Sequence, residues 1–111
     1  MRRGDVPMAL YDVFPNPSHS AADGVPYVVV IQSDLLDALS TRLTMPLAKF
    51  DAAIKVPTAL CPVIVVKGKR LHALEHYAAP LPAKNLRRAV DNVSAQASVL
   101  ESAMDAVMSG V

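Results

Sequence analysis

Apolar positions follow strand-like spacing through most of this chain and switch to a helical repeat only at its C-terminal end. "ALYDVF" (Ala9 to Phe14) carries branched and aromatic residues and predicts a strand. "PNPSHSAADGVP" follows, dense in Pro, Ser, Asn, Asp and Gly, and predicts a loop joining two strands. Tyr27 to Ile31 is continuous and β-branched. A run that is apolar on both faces belongs in the middle of a sheet. Arg42 to Ala48 predicts a further strand, and Pro46 inside it lacks a backbone donor, which points to an edge or a bulge. Val63 to Val66, a turn on Lys67-Gly68-Lys69, and Leu71 to Tyr77 read as a hairpin. Pro80 and Pro82 keep the chain extended beyond it.

The period then changes. Val93, Ala97, Leu100, Met104, Val107 and Val111 are separated by 4, 3, 4, 3 and 4 residues, one stripe of a helix. The opposite face carries Ser98, Glu101, Ser102 and Asp105, so the helix packs on an apolar surface along one side only. The helix is placed at about Ala95 to Met108, ~21 Å long at 1.5 Å per residue. Asn92 and Ser94 are the candidates to cap its start, and Ser109-Gly110 to end it. Antiparallel strands followed by one helix predict a mainly β fold, a small barrel or curved sheet with a C-terminal α-helix. Residues 1–7 share no pattern with the rest and read as an extension; residues 8–111 form a single domain.

Composition narrows the function more than the fold. Hydrophobic residues make up 52% of 111 positions and charged residues 19%, enough apolar surface to fold unaided. Eleven basic and ten acidic residues leave a net charge of +1, without the dense basic stripe of a nucleic-acid or membrane surface. No apolar run approaches the ~20 residues of a membrane span, and no secretory leader is evident. The single cysteine, Cys61, forms no intramolecular disulfide and lies in an apolar stretch, which suits a buried, inert thiol in a reducing cytoplasm.

Candidate chemistry is sparse. His72 and His76 have the spacing of a helical metal pair, but on a strand they would stand ~13 Å apart at ~3.3 Å per residue, too far for one ion. His19 lies between Ser18 and Ser20, with no nucleophile elbow or Gly-rich oxyanion loop to support a triad. No phosphate-binding glycine loop is present, and no cofactor is implied. Nothing assembles a nucleophile, a base and an orienting group, so binding is favoured over catalysis.

Taken in order, "YDVF", "VVVIQSDLLD", "MPLA", "LCPV" and a terminal helix ending in Gly110 and a branched aliphatic residue resemble the CcdB toxin family. The resemblance runs from Met8 to Val111 and implies an SH3-like antiparallel barrel that forms a homodimer, with its helices near the twofold axis. It further implies a toxin that binds the A subunit of DNA gyrase and traps the cleaved-DNA intermediate without itself catalysing a reaction. A cognate CcdA-like antitoxin neutralises such a toxin with a disordered segment, and the pair represses its own operon. Residue by residue, the resemblance assigns gyrase contact to Leu35, Leu36, Met108, Ser109, Gly110 and Val111. It assigns antitoxin contact to Asn16, Ser18, His19 and Ser20, in a loop whose length differs from the family pattern. Met104 and Val107 fall to helix packing or the dimer interface. One departure stands out: the best-known plasmid toxin of the family has an aromatic pair before the terminal glycine, where this chain has Met108 and Ser109. The alternatives are an endoribonuclease toxin of the MazF type, for which Arg42 with Thr44 is the available pair, and a non-toxic remnant that binds only the antitoxin.

Overall fold

The computed structural model describes residues 9–32, 40–51 and 61–109, the side chains of Met108 and Ser109 excepted. Seven antiparallel strands form one strongly curved sheet: β1 (Asp12–Pro15), β2 (Tyr27–Val30), β3 (Thr41–Ala48), β4 (Val63–Val66), β5 (Lys69–Ala73), β6 (Ala79–Pro82) and β7 (Asp91–Asn92). The order across the sheet is β4-β5-β3-β2-β1-β7, with β6 also paired to β3. Helix α1 (Ala97–Ser109) follows a 3-10 turn, Ser94–Gln96. The fold is a nearly closed antiparallel barrel with one C-terminal helix, as the sequence pattern predicts.

β2 is central, between β1 and β3, and its two apolar faces have separate destinations. Val29 points into the main core with Val13, Met45, Leu47, Ile64, Val66 and Leu71. Val28 and Val30 point to the other face, against Phe14 and Leu86. The helical stripe closes the main core: Val93 and Leu100 are fully buried, and Ala97 and Met104 pack against the same cluster. Val107 is half-buried, while Ser98, Glu101, Ser102 and Asp105 face outward. At ~25 cal/mol/Å², each large side chain in that stripe contributes about 1.5–3 kcal/mol.

Among the described residues, the two ends of the strand order, β4 and β7, approach each other at a seam. β7 is two residues long and cannot continue the ladder, so side chains complete it. The Gln96 side chain accepts a hydrogen bond from the Val65 backbone N–H and donates one to the Val65 carbonyl, each at 2.8 Å. Asp91 accepts from the Lys67 backbone N–H at 2.9 Å. The Gln96 amide thus presents the same donor and acceptor that a neighbouring strand would.

Four expectations are corrected. Pro46 lies at neither an edge nor a bulge but in regular register with Val28 on β3, which is paired on both sides. Its carbonyl accepts from Leu74 N, so its nitrogen faces the same side, where β6 pairing ends at Thr44 and β5 pairing begins at Leu47. The missing donor falls in the gap between two partner strands. The first strand begins at Asp12, because Tyr11 adopts a left-handed backbone (φ 71°) within a turn closed by Asp12 N on Ala9 O. The return strand of the hairpin ends at Ala73, and a 3-10 turn, Glu75–Tyr77, replaces its extension. A further 3-10 turn, Ala83–Asn85, interrupts the extended segment after Pro82. The hairpin turn itself is the two residues Lys67 and Gly68, with φ of 49° and 81°, the paired positive values of a type I′ turn.

Candidate functional site

Helix α1 is fixed at its start and again halfway along its length. At its start, Asn92 Oδ1 accepts from Ser94 N at 2.9 Å and fixes the approach, but the N-cap position of the entry turn is Val93, without a side-chain cap, rather than Asn92 or Ser94 as expected. Halfway along, Tyr11 Oη donates to Glu101 Oε2 at 3.0 Å, joining the helix to the turn before β1 across 90 residues of sequence. Tyr11 is held in its unusual backbone conformation by Tyr11 N on Val30 O and by Val93 N on Tyr11 O. Burial raises the tyrosine pKa, and the hydrogen bond to Glu101 and its negative charge raise it further. Beside this bracket lies a cleft of about 230 Å³ between Ile31, Leu43, Met104 and Asp105.

The helix continues through Ser109, one residue beyond the predicted stop, so Ser109 is its last turn rather than its breaker. Gly110 and Val111 lie outside the described residues, as do Leu35 and Leu36. Met104 lies against the barrel core of its own chain, and Val107 follows one turn later on the same face. Gln32, three positions before Leu35 in sequence, accepts at Oε1 from the Leu43 backbone N–H at 2.6 Å.

The loop between β1 and β2 is a built structure. It folds into a 3-10 turn, His19–Asp23, ended by Gly24 at φ 97°. Ser18 Oγ accepts from Ser20 N at 3.2 Å and lies 2.7 Å from Ser20 Oγ. Asn16 Nδ2 donates to Ser20 Oγ at 2.9 Å and to the Val25 carbonyl at 2.8 Å. Asn16, Ser18 and Ser20 therefore hold one another, and His19 projects from them exposed.

The other candidate groups are placed for structure. Arg42 and Thr44 are both buried; Arg42 Nη1 donates to the Thr41 carbonyl at 2.8 Å and Thr44 Oγ1 to the Ala79 carbonyl at 3.0 Å. His72 lies on β5 with its ring stacked on Phe50, 4.3 Å between centroids, and Arg70 lies 5.5 Å above the same phenyl ring. His76 belongs to the 3-10 turn, so the two histidines are not on one strand as expected. Among the described residues, no group of three His, Cys, Asp or Glu side chains could hold a metal ion, and no helix is long and apolar enough to cross a membrane. Cys61 is buried; burial, then the charge of Glu75 and a hydrogen bond to it, push its thiol up to about 11. It stays protonated at neutral pH and is a poor nucleophile.

Three contacts leave no trace in the sequence. Tyr11 with Glu101, Gln96 with Val65, and Glu75 with Cys61 are each meetings across distant segments, and the pattern of single residues carries no signal for them. Among curated proteins the chain has no match. The family model described as CcdB protein matches residues 10–110, nearly the whole barrel and helix. By that match the chain belongs to the CcdB family, the toxins of toxin–antitoxin systems.

Proposed function

We propose that this protein is a dimeric gyrase poison, which binds the A subunit of DNA gyrase and traps the cleaved-DNA complex by binding alone. The observation that carries the reading is the family match over residues 10–110, together with a helix that the barrel holds along its apolar stripe. A helix held by its barrel lowers the ordering cost of contacts made next to it in sequence. Met108, Ser109, Gly110 and Val111, with Leu35 and Leu36, are the proposed gyrase contacts. Met104 and Val107 contribute to the dimer interface. The preorganised loop of Asn16, Ser18, His19 and Ser20 is the proposed contact for a CcdA-like antitoxin, and the toxin–antitoxin pair represses its own operon in the cytoplasm.

The test is expression of the full chain in cells with and without its cognate antitoxin, scoring gyrase-linked DNA breaks and RNA cleavage together. Growth arrest with covalent gyrase–DNA complexes, reversed by the antitoxin, is the expected result. RNA cleavage without DNA breaks would overturn the reading in favour of an endoribonuclease. The absence of both would leave an antitoxin-binding remnant.

A further inference from the structure

A second feature lies on the outer face of the β4–β5 hairpin. Leu71 and Ala73 of β5 turn to the core, so Arg70 and His72 between them turn outward, level with Val65 and Val63 of β4. Phe50, two residues past the end of β3, meets this face. Its ring stacks on His72 with 4.3 Å between centroids, and the Arg70 guanidinium lies 5.5 Å from the same ring. Phe50 is still 53% exposed, more than any other large apolar side chain among the described residues. Lys49, Lys67, Lys69 and Arg70 stand around it, all exposed, and none forms an ion pair with a described residue. Of the neighbouring acids, Asp91 is occupied by the Lys67 and Asn92 backbone N–H groups, and Asp51 follows Phe50 in the turn. The sequence carries no dense basic stripe, and its net charge is only +1. Pairing of β3 with β5 nevertheless joins two short basic segments around one open aromatic ring.

We infer that this face binds single-stranded DNA, with a base stacked on the Phe50 ring and the flanking phosphates on Lys49, Lys67, Lys69 and Arg70. A ring among unneutralised cations serves both halves of a nucleotide, the flat base and the charged backbone. A duplex would engage the lysines but keeps its bases stacked on one another, so the open ring would gain nothing from it. An acidic peptide would likewise satisfy the cations and leave the ring without a regular flat partner. His72 and Arg70 already hold the phenyl ring, so a base meets a platform that needs little ordering. The patch occupies one end of a hairpin, which suits a strand segment of about four nucleotides. The choice of DNA over RNA rests on the gyrase reading, in which the chain acts at cleaved DNA. Binding is measured without gyrase, so either reading can fail alone.

The probe is a fluorescein-labelled thymidine DNA octamer, titrated with the full chain at low salt and followed by anisotropy. An abasic octamer of the same charge is titrated beside it. The thymidine strand should bind about tenfold or more tighter than the abasic one. Its log affinity should fall with log salt at a slope of about −2 to −3, as three or four neutralised phosphates require. Phe50→Ala, at an exposed position, should bring the thymidine strand down to the abasic level and leave the abasic strand unchanged. A general loss of structure would not produce that coupling. Lys69→Glu should weaken both strands about tenfold. Lys84→Glu makes the same charge change near the opposite end of β3, where Ala83 N bonds to Ser40 O, and should leave both within about twofold. Equal binding of the two strands, thymidine binding retained in Phe50→Ala, equal losses in Lys69→Glu and Lys84→Glu, or no saturable binding would each overturn the proposal. So would tighter binding of a uridine RNA octamer, of a DNA duplex, or of a glutamate octapeptide.

Discussion

Tyr11 shows how one side chain settles several local choices. In the sequence it sits in an ordinary strand pattern, and nothing marks it for a left-handed backbone, which is rare for a bulky aromatic residue. The backbone bends there because doing so buries the ring under α1 and lets its hydroxyl reach Glu101. Tyr11→Phe keeps the ring and should lower stability by about 1 kcal/mol, read as a lower urea midpoint, with the fold retained. The same contact fixes a pH dependence. Because the folded-state tyrosine pKa is raised, its stabilisation is complete below the unfolded value of about 10 and is lost as pH rises above it. Cys61 adds a second such contribution: its stabilisation is present below pH 9.0 and lost as pH rises toward about 11. Urea midpoints should therefore fall from pH 9 upward, and less steeply in Cys61→Ala. At pH 8 a thiol reagent should label the native protein about a hundredfold slower than the unfolded chain, from the reduced thiolate fraction alone. Rapid labelling would show that Cys61 is not held as described.

At the scale of elements, what could be read in advance was whatever depends on neighbours in sequence. The double-sided apolar run of Tyr27 to Ile31 could only be a central strand, and β2 is one. The 4-3-4-3 stripe could only be a helix with one buried side, and Val93, Ala97, Leu100 and Met104 are that side. Pro46 was legible only in part. Its lack of a donor demanded a break in the ladder, but whether that break lay at an edge or between two partners depended on where β5 and β6 ended. The seam was not legible at all. Gln96 is one polar residue before a helix, and its role exists only because β4 and β7 approach each other. Gln96→Ala leaves the Val65 amide and carbonyl, which are exposed, to water and should cost about 0.5–1.5 kcal/mol. Hydrogen exchange should quicken at Val65 and spare β2. Unchanged protection at Val65 would mean that another protein acceptor replaces the glutamine.

For the whole molecule, the deciding question is what the helix end does. A tryptophan buries ~200 Å² at a contact, worth up to ~5 kcal/mol at ~25 cal/mol/Å², and half of that changes affinity by well over tenfold. Ser109 forgoes this gain. Ser109→Trp should raise toxicity, scored as loss of colony formation that the antitoxin reverses, if the tip is the gyrase contact. An unchanged survival curve would move the contact elsewhere. Residue type at short, regular spacing was enough to set the central strand, the hairpin and the packed stripe of the helix, while a resemblance of ordered motifs pointed to the family. The partner-strand gap at Pro46, the kink at Tyr11, the side-chain seam at Gln96 and the burial of Glu75 beside Cys61 arise only once the chain has folded. Those four depend on which distant segments meet, and closing a barrel brings together residues that no local period relates.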